Sequence, residues 1–195
     1  MAPVALPAST LPMPTLPTTP PMPHMLAPIV IIGAGGIVND AHLPAYRQAD
    51  FAVAGIYDVD GDKARQRAAT FAIPRVYESL AQAVSQAPAG AVYDVAVPAA
   101  AILDILPHLP DGAGVLLQKP LGDDLAAARA ICDLCRAKHL RAAVNFQLRY
   151  APFVLAARHL IEQGAIGEID DLEVRVTVYT PWHLWAFLEN VRFAE

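Results

Sequence analysis

From Ile29 to Gly164 the chain alternates short apolar runs with longer segments of helical character, and this alternation restricts its fold more than any other feature. "IVIIGAG" ends in glycines and is followed by "IVNDAHLPAYRQA", which reads as a helix disturbed at Pro44. Further strands are expected at "FAVAGIYD", "RVY", "AVYDVAVP", "GVLLQ" and "RAAVNF". Helices are expected at "DGDKARQRAATF", "SLAQAVSQA", "DDLAAARAICDLCRAKHL" and "APFVLAARHLIEQG". Apolar runs of this kind suit strands buried on both faces. Strands alternating with helices imply an α/β fold, a doubly wound parallel sheet covered by helices.

Both ends depart from the pattern. In "EIDDLEVRVTVYT", residues 168–180, Leu172, Val174, Val176 and Val178 alternate with polar or exposed-type residues. That predicts a strand with one apolar face, opening a second α/β domain that is incomplete here. At the other end, nine of the 18 prolines fall within the first 28 residues, and no Asp, Glu, Lys or Arg precedes Asp40. Prolines remove backbone donors, so residues 1–27 are expected to be a disordered leader, with a docking segment for an aromatic-lined groove as the alternative. The leader lacks the basic start and unbroken apolar stretch of a signal peptide, and Met25 is a second candidate start. The domain boundaries expected are therefore 28–147 for the parallel-sheet domain and 148–195 for the start of the second.

A net charge of −5 argues against a nucleic-acid partner. Prolines, glycines and charges interrupt every apolar run before it reaches membrane-spanning length. Two cysteines do not make a secreted disulfide scaffold, so a reducing cytoplasm is expected. Cys132 and Cys135 form a C-x-x-C, but deep in an expected helix rather than at its N-terminus, which favours core packing over redox or metal chemistry.

The chemistry concentrates where strands end. "GAGGIV", Gly33 to Val38, lies between a strand and a helix and matches the first two glycines of G-x-G-x-x-G. Gly33 suits the tight turn, and Gly35 suits close approach of a pyrophosphate to the amides around Gly36 and Ile37 at a helix N-terminus. Val38 stands where a small residue is usual. Asp58 closes the second apolar run 25 residues after Gly33, near the spacing of a ribose-binding acid. A carboxylate there accepts from ribose hydroxyls and repels a 2′-phosphate, which favours NAD over NADP. Lys63 and Arg65 just downstream would soften that preference unless they are simply a solvated helix face. Lys119 follows "GVLL" and Gln118, at the carboxyl end of a strand, where open parallel sheets bind ligands. A lysine there can meet a substrate oxygen, and partial burial would make it a better proton donor.

Taken in order, "GAGGIVNDAHLPAY", the acid of "IYDVD", "DVAVP", "LLQKPLG" and "NFQLRYAP" resemble the Gfo/Idh/MocA oxidoreductases, over about residues 28–180. The resemblance implies a Rossmann domain followed by a C-terminal α/β domain. It implies hydride transfer between a nicotinamide cofactor and a carbon of a sugar or cyclitol, and a homo-oligomer for a complete protein. Gln118, Lys119 and Pro120 match the family's Glu-Lys-Pro, which makes Lys119 the active-site lysine. By the same resemblance Val97 and Pro98 flank the nicotinamide side, and Asn145 and Arg149 lie near cofactor or substrate. Trp182 and Trp185 become candidates to stack on a sugar or to pack at a domain boundary, and His183 joins Trp182 and Lys119 on the substrate side.

Three departures stand out. Gln118 replaces a glutamate. Ile102 stands where the family often has a histidine. The family's second-domain histidine and aspartate are expected beyond the region of "PWHLWAFLENVRFAE", so the chain is read as C-terminally truncated, with His183 too early to substitute. Two further readings remain open at this point, a non-catalytic NAD-binding or regulatory module and an S-adenosylmethionine-dependent methyltransferase. No metal site is expected.

Overall fold

The computed structural model describes residues 15–177. Strands β1 (Ile29–Ile32), β2 (Val53–Tyr57), β3 (Val92–Val95), β4 (Gly114–Leu117) and β5 (Arg141–Val144) form one parallel sheet in the order β2-β1-β3-β4-β5. The chain moves outward from β1 to β2 and then returns to the other side of β1 as β3. This is the Rossmann-type doubly wound fold that the alternation of elements predicts, with its topological switch between β1 and β3.

The expected third strand, "RVY", is reduced to a single bridge between Val76 and Ile56 at the outer side of β2. Ile56 donates to the Arg75 carbonyl and Tyr77 donates to the Ile56 carbonyl. Pro74 has no N–H to extend the ladder, and Ser79 already caps the next helix by accepting from Gln82 N–H.

The helices follow from their caps. Asp60 accepts from Lys63 N–H to start α2 (Gly61–Phe71), and Asp124 accepts from Ala127 N–H at 2.7 Å to start α5 (Leu125–Ala137). Between them lie α3 (Leu80–Ser85) and α4 (Ile102–Ile105). The segment around α4, flanked by 3-10 turns Ala99–Ala101 and Leu106–His108, was not foreseen, because Pro107 and Pro110 obscure a helical stripe of Ile102, Leu106 and Leu109. All three side chains are fully buried.

The first crossover is irregular for a reason. A π-turn, Val38–His42, precedes α1 (Leu43–Gln48). Pro44 has no N–H for the carbonyl of Asp40, and its ring would crowd that carbonyl. The helix widens instead, and Leu43 N–H reaches back five residues to the Val38 carbonyl. Val38 fills the core beneath this wide turn with no exposed surface.

Alternation along β1 divides the core. Val30 and Ile32 face Tyr93, Val95, Val115, Leu117 and α5 residue Ile131, whereas Ile29 and Ile31 face Val38, Leu43, Ala64 and Ala68. Asp94, between Tyr93 and Val95, faces the second layer, which contains α1. It is a carboxylate only 1% exposed in an otherwise apolar strand.

Beyond β5, α6 (Pro152–Glu162) follows a 3-10 turn, Gln147–Tyr150, and buries none of its residues. The strand expected at 168–180 is not formed in its described part. Residues 168–177 join no ladder, and Leu172, Val174 and Val176 are exposed. An alternating pattern specifies a strand face but cannot supply the neighbouring strand that its hydrogen bonds require.

Residues 15–28 form no helix or strand, and Met22 and Met25 are exposed. The backbone joins the sheet at Pro28, just past the leader, whose carbonyl accepts from Val92 N–H at 2.9 Å. A chain begun at Met25 is therefore expected to melt within about 2 °C of the full chain, well below the shift for losing 1 kcal/mol of packing. A drop of several degrees in a thermal unfolding scan would show that the leader packs on the domain.

Candidate functional site

Two loops meet at the switch point. After β1 the backbone turns at Gly33, whose φ of +111° excludes most side chains. A Cβ there would lie 2.3 Å from the Ala96 carbonyl oxygen, at the end of β3. Gly33 is thus required by the crossing of two backbones. Gly35 differs, since a Cβ on it would meet nothing within 4 Å. The space beside Gly35 is open, and Gly36 and Ile37 next to it are exposed at the helix start.

Asp58 joins β2 to this turn. Its Oδ2 accepts from Ala34 N–H at 2.5 Å and its Oδ1 from Asp60 N–H at 2.8 Å. The carboxylate is half-buried and fixed, with lone pairs left for further donors. Lys63 and Arg65, which would soften discrimination against a 2′-phosphate, are instead paired with acids of their own helix. Lys63 Nζ lies 3.1 Å from Asp60, and Arg65 Nη2 lies 2.7 Å from Asp62. A glycine turn, open space at Gly35 and an acid at the end of β2 are the features that a dinucleotide site combines.

The ends of β3, β4 and β5 are tied together by a residue the sequence reading did not single out. His42, at the end of the π-turn, is 6% exposed. Its Nδ1 lies 2.7 Å from Asp94 Oδ2, and its Nε2 lies 3.1 Å from both Gln118 Nε2 and Asn145 Nδ2. Gln118 Oε1 in turn accepts from Lys119 N–H at 2.8 Å. Tyr46, one helical turn after His42, donates its hydroxyl to Asp94 Oδ2 at 2.9 Å. Burial above all, then the Asp94 charge and this hydrogen bond, push the Tyr46 phenol far above its ordinary range, so it remains a donor. The signal in the sequence was Asp94 itself, because a buried carboxylate in an apolar strand demands partners.

Gln118 and Asn145 therefore share one buried hub, with Lys119 attached through its backbone. Val97 is half-buried, with Cγ1 3.5 Å from where a Gly33 Cβ would stand, and Pro98 is exposed at the start of a 3-10 turn. The burial expected for Lys119 is not found. It is exposed, because its strand has ended at Leu117 and the chain leaves the sheet there. Arg149 is exposed in the turn after Phe146 and is not joined to the hub. Trp182, His183 and Trp185 lie outside the described residues.

The cysteines behave as packing residues. Both are free, Cys135 is buried, and burial followed by the neighbouring Cys132 pushes the Cys135 thiol up, away from reactivity. Among the described residues no group of three or more His, Cys, Asp or Glu side chains is arranged to hold a metal ion, and no helix is long and apolar enough to cross a membrane.

A family model described as an oxidoreductase family with an NAD-binding Rossmann fold, GFO_IDH_MocA, matches residues 28–146. The chain belongs to the Gfo/Idh/MocA oxidoreductase family. It is similar to a D-apiose dehydrogenase of Paraburkholderia graminis, at 31% identity over 140 residues that make up 70% of this chain and 36% of that protein. The chain thus spans little more than a third of that relative's length. Its fold is also that of an NAD binding oxidoreductase from Klebsiella pneumoniae (TM-score 0.64, 24% identity, 74% of this chain and 40% of that one). The same holds for a super-repressor mutant of Gal80p from Saccharomyces cerevisiae (TM-score 0.62, 18% identity, again 74% and 40%).

Proposed function

We propose that this chain is the NAD-binding part of a dehydrogenase acting on a sugar or cyclitol, with the second domain beginning near residue 148. The observation that carries the reading is the fixed Asp58 carboxylate beside the glycine turn, with the nearby cations already paired. The similarity to a D-apiose dehydrogenase supports the substrate class. When bound, the nicotinamide supplies or accepts the hydride. The chain's own residues then have distinct tasks. Asp58 accepts from the adenosine ribose and disfavours a 2′-phosphate. The amides around Gly36 and Ile37 receive the pyrophosphate. Val97 and Pro98 border the nicotinamide side. Lys119 donates a hydrogen bond to the reacting oxygen, with Arg149, Trp182 and His183 assigned to the substrate side.

Titration of the purified chain by NADH and NADPH fluorescence tests the cofactor reading. NADH should bind more tightly. Asp58→Asn keeps an acceptor for Ala34 N–H but removes the charge, so it should narrow the preference, costing NADH about 1–3 kcal/mol as charged hydrogen bonds are lost. Equal binding of both cofactors to the unchanged chain would sink the assignment. Turnover with NAD across sugars and cyclitols tests the activity. NADH binding without turnover on any of them, measured with the second domain complete, would favour the regulatory-module reading, and competition by S-adenosylmethionine would favour the methyltransferase.

A further inference from the structure

The bonds around His42 run in one direction. Lys119 N–H can only donate, so the Gln118 atom facing it is the carbonyl oxygen. That fixes the amide, and its NH2 points at His42 Nε2. The Asn145 NH2 points at the same nitrogen. His42 Nε2 is therefore an acceptor, and the ring proton sits on Nδ1, donated to Asp94. Asp94 ends the chain of donors. Its Oδ2 takes both His42 and Tyr46, while its Oδ1 has no partner among the described residues. Four backbone elements converge here: the π-turn and the carboxyl ends of β3, β4 and β5. His42, Asp94 and Gln118 are each at most 9% exposed, so water competes little for the two bonds that join them.

We propose that His42, held by Asp94 in its Nδ1–H tautomer, is a positioning residue of the cofactor site. It anchors the Gln118 and Asn145 amides at the ends of β4 and β5 and so sets where Lys119 stands beside the nicotinamide. The role rests on the reading above that the crevice takes a nicotinamide dinucleotide. The tautomer does not depend on it.

The test has a spectroscopic arm and a binding arm, both on the purified 195-residue chain. In long-range proton–nitrogen correlation spectra of nitrogen-labelled histidine, His42 should show a protonated Nδ1 and a bare Nε2. The Nε2–H form, or an imidazolium at neutral pH, would overturn the relay. The binding arm compares NADH with ADP-ribose, which shares everything except the nicotinamide. Asp94→Asn should weaken NADH roughly tenfold, the loss expected for a charged hydrogen bond, and leave ADP-ribose within about twofold. Gln118→Leu cuts the relay at its other end without touching the Asp94–His42 pair, and it decides the matter should Asp94→Asn fail to fold. Gln118→Glu can accept from both Lys119 N–H and a doubly protonated His42, with the Asn145 amide turned so that its oxygen faces Nε2–H. It should keep the NADH advantage while turning His42 into an imidazolium. If Gln118→Leu binds NADH as tightly as the unchanged chain does, the positioning role is wrong although the cofactor reading stands. If the unchanged chain binds neither ligand, the cofactor reading falls and takes the role with it.

Discussion

Gly33→Ala is expected to destabilise the chain by about 2–6 kcal/mol and to abolish NADH binding, whereas Gly35→Ala should leave stability unchanged and still lose NADH. At Gly33 two costs combine. Alanine does not tolerate a φ of +111°, and its methyl would stand 2.3 Å from the Ala96 carbonyl oxygen, a backbone atom held in the sheet by the neighbouring bond from Ala96 N–H to Ile32. Relief would require β1 and β3 to part at their carboxyl ends. In a domain of this size such a loss lowers the melting temperature by roughly 5–20 °C. Gly35 has no such constraint, because a methyl there meets nothing within 4 Å. Its effect would come only from occupying the space a pyrophosphate needs. Thermal unfolding and NADH titration of both variants separate the two roles. A Gly35→Ala chain that binds NADH as well as its parent would show that no phosphate approaches that backbone.

Asp94→Leu should be nearly as damaging to the fold, at about 3–5 kcal/mol. The substitution strands His42 Nδ1–H and the Tyr46 hydroxyl, both of which lose their acceptor. A loss of that size is a large part of the ordinary stability of a domain, about 5–15 kcal/mol. The double change Asp94→Leu, Tyr46→Phe removes one orphaned donor, keeps the His42 Nε2 acceptor for Gln118 and Asn145, and should recover part of the stability. Chemical denaturation would show it. A single Asp94→Leu chain as stable as its parent would mean that the buried network contributes nothing to the fold.

The residues that were legible in the sequence are those whose role is local. A glycine turn between a strand and a helix, an acid closing the next strand and a lysine closing another can each be read from a dozen neighbouring positions. The hub could not, because Asp94 and His42 are 52 residues apart and His42 and Asn145 are 103 apart. Only the sheet order brings them together. Val38 shows a different limit. By comparison with the glycine fingerprint it looked too large, yet the widened turn that Pro44 imposes gives it a place in the core. The third strand and the segment 168–177 were read from apolar pattern alone, and pattern does not provide a pairing partner. Lys119 was placed correctly at a strand end, but its exposure depends on the loop that follows rather than on the strand.

The π-turn also sets a phase. Each residue advances an α-helix by about 100°, so one added or removed residue rotates everything beyond it by that angle. The wide turn absorbs one residue between the glycine loop and α1, and His42 comes to face the sheet because of it. Removing Asn39 and replacing Pro44 together would restore even winding with His42 and Tyr46 still on the inner face, whereas straightening the helix with Asn39 kept would carry both off it by that angle. The length of this crossover is therefore under tighter constraint than its composition, and relatives that lack the proline should be one residue shorter here or place a different side chain opposite Asp94.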